Sequence, residues 1–184
     1  MKKIFLGLVF FLPFIFSNAQ TGQRTYVEKF PNGNVRIKGN YISPVEISPN
    51  DPKDVMAQKM GNAKKVGKWE IFYESGKPAA EEFYNNGVMT GKWNSWYESG
   101  SKQYEIDFTS GQAVIYHVNG NVQSKGKMLP GMLMDGKWIG YHDNGKVNFE
   151  GSYKAGNKDG EWKFYDEKGN HYASELWNNG NKVQ

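Results

Sequence analysis

Gly67-Lys68-Trp69-Glu70-Ile71-Phe72-Tyr73-Glu74-Ser75-Gly76 is one unit of a pattern that runs through most of the chain. Its start returns as Gly91-Lys92-Trp93, Gly136-Lys137-Trp138 and Gly160-Glu161-Trp162, with the tryptophans 24, 45 and 24 residues apart. The middle interval is nearly two periods. Ala113 to Gly120 supplies the missing copy, with Ala113 where the others carry tryptophan. Seven residues after the Trp position comes a glycine, at Gly76, Gly100, Gly120, Gly145 and Gly169. Four residues before each of these sits an aromatic: Phe72, Trp96, Tyr116, Tyr141 and Tyr165. A second turn glycine follows at Gly87, Gly111, Gly156 and Gly180. An N-terminal copy has Tyr26 at the Trp position and Pro31-Asn32-Gly33 as its turn, which makes about six copies.

Each copy reads as a β-hairpin. Trp69 to Tyr73 is β-prone, Ser75-Gly76 turns the chain, and Pro78 to Tyr84 returns it. Alternation puts Trp69, Ile71 and Tyr73 on one face and Phe72 on the other. A lone hairpin is marginal in water, so the copies must cover one another's aromatics. The expected fold is all-β: tandem hairpin repeats in an elongated, twisted antiparallel meander, with one short helix in an insertion.

The period breaks in two places. Residues 42–66 are an insertion, with a loop over Ser43-Pro44 to Asp51 and a short helix near 52–60. Asp51 reads as its N-cap, Pro52 as N1 and Gly61 as its stop, with Val55, Met56 and Met60 facing the sheet. The other break is Lys127 to Asp135, apolar and Met-rich where other copies put a polar turn.

The organisation expected is therefore a signal peptide over 1–19, a first hairpin over 20–41, the insertion over 42–66, and about five hairpins over 67–184. The leader reading rests on Lys2-Lys3, an apolar run from Ile4 to Phe16, and Ser17-Asn18-Ala19 before Gln20. That run of 13 residues is too short for an ordinary spanning helix, and no second long apolar run follows. Export follows as an expectation: periplasmic, outer-membrane-associated or secreted. Without the two leader lysines the formal charge falls from +4 to +2, which argues against a nucleic-acid partner. There is no cysteine, so disulfides, thiol chemistry and cysteine metal sites are excluded.

Recurrence sorts the remaining residues. Those that return in every copy serve the repeat: Trp69, Trp93, Trp138 and Trp162, the second aromatic row from Phe72 to Tyr165, and the turn glycines. Should one aromatic row prove exposed, it becomes a stacking platform. Glu74 and Glu98 recur as turn flanks. His117 and His142 share one repeat position, held earlier by Tyr73 and Tyr97, so a two-His metal site is conceivable but lacks a third ligand. His171 is isolated. No catalytic triad, phosphate loop or zinc motif is present, so neither enzyme activity nor a cofactor is expected. Met128, Leu129, Met132, Leu133 and Met134 are the candidate partner-binding residues, since exposed apolar clusters mark contact sites. Their alternative is a local cap over the sheet.

Phe149-Glu150-Gly151-Ser152-Tyr153-Lys154-Ala155-Gly156-Asn157-Lys158-Asp159-Gly160-Glu161-Trp162-Lys163-Phe164-Tyr165 resembles the MORN-repeat family, and more closely its bacterial variants known as YwqK-type antitoxin-like repeat proteins. The resemblance covers roughly 24–41 and 64–184. It implies a row of hairpins in an extended sheet, interaction with a protein or membrane surface, and no cofactor. The function expected is a non-enzymatic interaction or scaffolding module of the bacterial cell envelope, its partner another envelope or exported protein. Two other readings stand beside it: an immunity- or antitoxin-like inhibitor of an exported toxin, and a glycan- or membrane-surface-binding repeat protein.

Overall fold

The computed structural model describes residues 22–183, apart from 44, 46, 49 and 62. The expected leader, and the packing expected of the Met60 side chain, lie outside what it describes. Six hairpins follow one another: β1–β2 (Gln23–Lys29, Val35–Ile42), β3–β4 (Lys64–Phe72, Pro78–Asn85), then, after a two-residue strand β5 (Val88–Met89), β6–β7 (Lys92–Trp96, Lys102–Asp107). They continue as β8–β9 (Gln112–Tyr116, Val122–Leu129), β10–β11 (Leu133–Tyr141, Val147–Lys154) and β12–β13 (Asn157–Tyr165, His171–Asn178), with a short β14 (Asn181–Lys182). All pair antiparallel in one open 14-stranded sheet whose order follows the sequence, except that β5 lies off this path and pairs with β4 alone. The all-β meander read from the repeats is the fold.

The turns explain why the sequence repeats. Within each hairpin the glycine amide bonds back to the residue three before it, as Gly76 to the Tyr73 carbonyl at 2.9 Å, and Tyr73 in turn bonds to the Lys77 carbonyl at 2.9 Å. This is a type I turn closed by a left-handed residue, and only glycine takes that conformation without strain: φ is +83° at Gly76 and +96° at Gly100. Between hairpins, Asn86-Gly87, Ala155-Gly156 and Asn179-Gly180 form two-residue turns with both residues at positive φ.

One face of the sheet carries the core. Tyr26, Trp69, Trp93, Ala113, Trp138 and Trp162, all at the Trp position, are buried. Four indole N–H groups donate to carbonyls of the preceding hairpin: Trp69 to Asn40 at 2.8 Å, Trp93 to Phe83 at 3.0 Å, Trp138 to Lys127 at 3.0 Å and Trp162 to Ser152 at 3.1 Å. Gly39, Gly126 and Gly151 make room for the rings: a Cβ added at any of them would collide with Trp69, Trp138 or Trp162 respectively. Each tryptophan therefore locks one hairpin onto the one before, and a single layer buries Trp138 completely.

The insertion roofs the first hairpins. Its helix α1 (Lys53–Gly61) brings Met56 onto the cluster of Tyr26, Tyr41, Ile47 and Trp69, while Val55 is half-buried. Asp51 differs from its expected role. Its carboxylate points back to the Ser48 amide and across to Lys59 Nζ, each at 2.9 Å, rather than forward as an N-cap. The Ser48 amide first, and then Lys59, hold this carboxyl below the usual range.

Candidate interaction surface

Hairpins stacked in this way give the sheet two faces and two rims. One rim carries the turns within hairpins. Here the residue three before the turn glycine reaches the next hairpin's backbone: Tyr73 Oη donates to the Trp96 carbonyl at 2.7 Å and Tyr97 Oη to the Tyr116 carbonyl at 3.0 Å. His117 Nε2 continues the series to the Tyr141 carbonyl at 3.0 Å, and His142 Nε2 to the Tyr165 carbonyl at 2.8 Å. The two histidines thus stand in for tyrosine as inter-repeat donors. His117 Nδ1 also lies 2.9 Å from Asp143 Oδ1. Among the described residues no cluster of three potential ligands forms a metal site. His171 Nε2 lies 3.0 Å from Ser174 Oγ, away from this series. Glu74 and Glu98 contribute backbone carbonyls to the rim, to Asn32 and Lys77, each at 3.0 Å.

The opposite rim holds the Met-rich segment, which is a hairpin tip rather than a free loop. Met128 and Met134 pair across β9 and β10 and point into the core; Met128 is buried and Met134 packs against the same cluster. Neither is placed to meet a partner, and Leu129 is half-buried. Met132 and Leu133 are exposed, at 40% and 43%. Gly131 N–H contacts Met89 Sδ at 3.3 Å, which ties this tip to the neighbourhood of Val88, 58% exposed. The five candidate residues thus divide into two outward-facing, two core and one intermediate. Sequence reading left out Met89, because only the fold links positions 42 residues apart.

The face opposite the core is open and polar. Lys38, Lys68, Glu70 and Glu81 form one run of ion pairs, and Lys137–Glu150 another. Along it runs the second aromatic row, Phe72, Trp96, Tyr116, Tyr141 and Tyr165, each half-buried and each two strands from the next. Tyr116 Oη donates to Glu105 at 2.8 Å and Tyr165 Oη to Glu150 at 2.7 Å. Glu105 is held below the usual carboxylate range by Lys102 and then Tyr116; Glu150 by Tyr165 and then Lys137. Burial and Glu105 push the Tyr116 hydroxyl up to about 12. A groove of about 510 Å³ lies between the last two rings, lined by Ile139, Tyr141, Lys146, Val147, Glu150 and Tyr165. Alternation leaves this row on the side that no second layer covers among the described residues.

Among the described residues no helix is long and apolar enough to cross a membrane. No curated protein matches the chain. The family model described as the MORN repeat variant matches residues 65–86, 89–109, 134–155 and 158–179. It passes over the hairpins β1–β2 and β8–β9, which have Tyr26 and Ala113 in place of tryptophan yet pair in the same sheet. Repeats of this kind are generally involved in protein or membrane binding and are not a known enzyme family. With four matched copies joined in one continuous sheet, the chain is a member of the MORN repeat variant family.

Proposed function

We propose that this chain is a non-enzymatic docking module of the cell envelope, exported by its N-terminal leader, that binds a partner protein through the rim around Met132 and Leu133. The observation that carries the reading is the adjacent exposed apolar pair Met132 and Leu133, on a rim that also carries polar turns such as Asn86-Gly87 and Asn179-Gly180. Exposed apolar side chains gathered at one spot favour a partner that covers them. Export is supported by the leader pattern of Lys2-Lys3, the apolar run from Ile4 to Phe16 and Ser17-Asn18-Ala19.

The test is a pair of surface changes, Met132→Lys with Leu133→Lys, in the full chain expressed in its native host. Both side chains are outside the core, so the β-type circular dichroism and urea midpoint should stay within about 0.5 kcal/mol of the parent. Crosslinked capture from the envelope fraction should lose a specific protein that the parent retains. An identical capture list, or recovery of the parent only in the cytoplasm, overturns the reading.

A further inference from the structure

The open face has a periodicity of its own. Its aromatic row advances by two strands per ring, and strands lie about 4.8 Å apart, so successive rings are spaced by about 9.6 Å. A polyproline II helix rises about 3.1 Å per residue and completes a three-residue turn in about 9.3 Å. Laid across the strands, such a segment brings every third residue to an equivalent slot between successive rings. An extended β-strand, at about 6.6 Å per two-residue repeat, falls out of phase after one slot. Proline rings packing between flat aromatic side chains are the usual chemistry of this mode of recognition.

Trp96 supplies a second, independent observation. Trp69, Trp93, Trp138 and Trp162 donate their indole N–H to backbone carbonyls, and Trp177 to Glu175 at 3.0 Å. Trp96, half-buried within the row, has no such partner among the described residues. Its indole N–H makes no hydrogen bond among the described residues, and a polyproline II helix carries free carbonyls along its whole length that such a donor can meet.

Charge selects among proline-rich segments. Two residues along β6 from Trp96, Asn94 lies in register between Glu81 on β4 and Glu105 on β7. Their side chains are 32% and 45% exposed. Lys68 pairs with Glu81 Oε1 at 2.6 Å, which leaves Glu81 Oε2 to a cation arriving from solvent, whereas both Glu105 oxygens are taken, by Lys102 at 2.7 Å and by the Tyr116 hydroxyl at 2.8 Å. A basic residue flanking the prolines complements Glu81.

We propose that the row from Phe72 to Tyr165 binds a proline-rich, basic segment of a partner protein in the polyproline II conformation, with Trp96 as the anchor. This rests on the reading of the chain as a protein-docking module, but at a site separate from the Met132 rim. The probe is a synthetic peptide of four Pro-Pro-Arg triplets, with Gly-Gly-Arg triplets as the control of equal charge, titrated by calorimetry against the full chain. The proline peptide should bind at least about tenfold more tightly than the control, a difference that reports the preformed helix rather than charge. Trp96→Ala should abolish binding, with its urea midpoint showing that the fold persists. Glu81→Gln should weaken the Pro-Pro-Arg peptide while leaving a neutral Pro-Pro-Ala peptide unaffected. Equal binding of both triplet peptides, binding that survives Trp96→Ala, or fluorescence quenching by glycans in place of peptide overturns the proposal. If crosslinked capture still depends on Met132 and Leu133 while the peptide fails, the proposal falls and the docking reading stands. If the peptide binds and capture is indifferent to Met132 and Leu133, the reverse holds.

Discussion

Trp138 and Ala113 hold the same position in successive repeats, and the sheet accommodates them in opposite ways. Trp138 lies over Gly126 of the preceding hairpin and faces Gly151 across its own. Ala113 pairs directly with Ile106, and both are 2% exposed. The bulk has moved back by one strand, so a large residue still meets a small one. The ladder changes with it: β9–β10 is broken by a register shift between Asp135 and Ile139, whereas β7–β8 runs from Tyr104 to Asp107 without a shift. A MORN variant repeat therefore conserves the filled volume between hairpins, and the tryptophan is one of two ways of filling it.

Breaking the tryptophan version should have the largest effect. Trp138→Ala removes a fully buried ring that sits over Gly126, faces Gly151 and packs against Tyr153, which leaves a cavity in the core. The expected loss is about 3–5 kcal/mol by urea denaturation, with unfolding spreading from β9 and β10. A loss below about 1 kcal/mol would mean that the ring does not join the hairpins. The converse change sharpens the comparison. Ala113→Trp restores the repeat pattern but meets Ile106, and overpacking should cost about 1–3 kcal/mol. Adding Ile106→Gly should recover part of that cost, so that the double variant is more stable than the sum of the single changes. Strict additivity would show that the two positions do not share one volume.

The repeat fold was legible because its turns repeat. Glycines at a fixed distance from an aromatic mark positive φ, and positive φ in that register closes a hairpin. The contents of the core were less legible. Gly39, Gly126 and Gly151 lie inside strands, where their role is to admit a ring from the next hairpin, and nothing within one repeat distinguishes them from turn glycines. The Met-rich segment was marked by composition, yet whether Met128 or Met132 faces outward depends on register, which one residue of slip would invert. Trp96 sits in a recurrent row and looked structural. What sets it apart is a missing hydrogen-bond partner, and spacing cannot show that.

A smaller effect is expected on the turn rim, where His117 takes the place of Tyr73 and Tyr97. His117→Ala removes the donor to the Tyr141 carbonyl and should cost about 1 kcal/mol. His117→Tyr should be nearly neutral, because the same position in two earlier hairpins already spans the same gap with a phenol. If tyrosine proves as damaging as alanine, the rim around Ala113 differs from its neighbours in geometry as well as in packing. Chemical denaturation of the three proteins at one pH decides it.

The smallest effect concerns the turns between hairpins. Asn86 and Asn179 occupy the first left-handed position, at φ 50° and 47°, and Ala155 takes it at 46°. A left-handed L-residue costs about 1–2 kcal/mol, and asparagine tolerates the region better than alanine through its short polar side chain. Asp135 Oδ1 accepts from the Ala155 amide at 3.3 Å, and Asp159 Oδ1 accepts from the Asn179 amide at 3.1 Å, so the two turns share the same outside support. Ala155→Asn should therefore raise stability by about 0.5 kcal/mol, and Asn179→Ala should lower it by about as much. Equal and opposite shifts in the urea midpoint would show that these turns are interchangeable parts. An unchanged Ala155→Asn variant would mean that the Asp135 contact, rather than the residue's own preference, holds the turn.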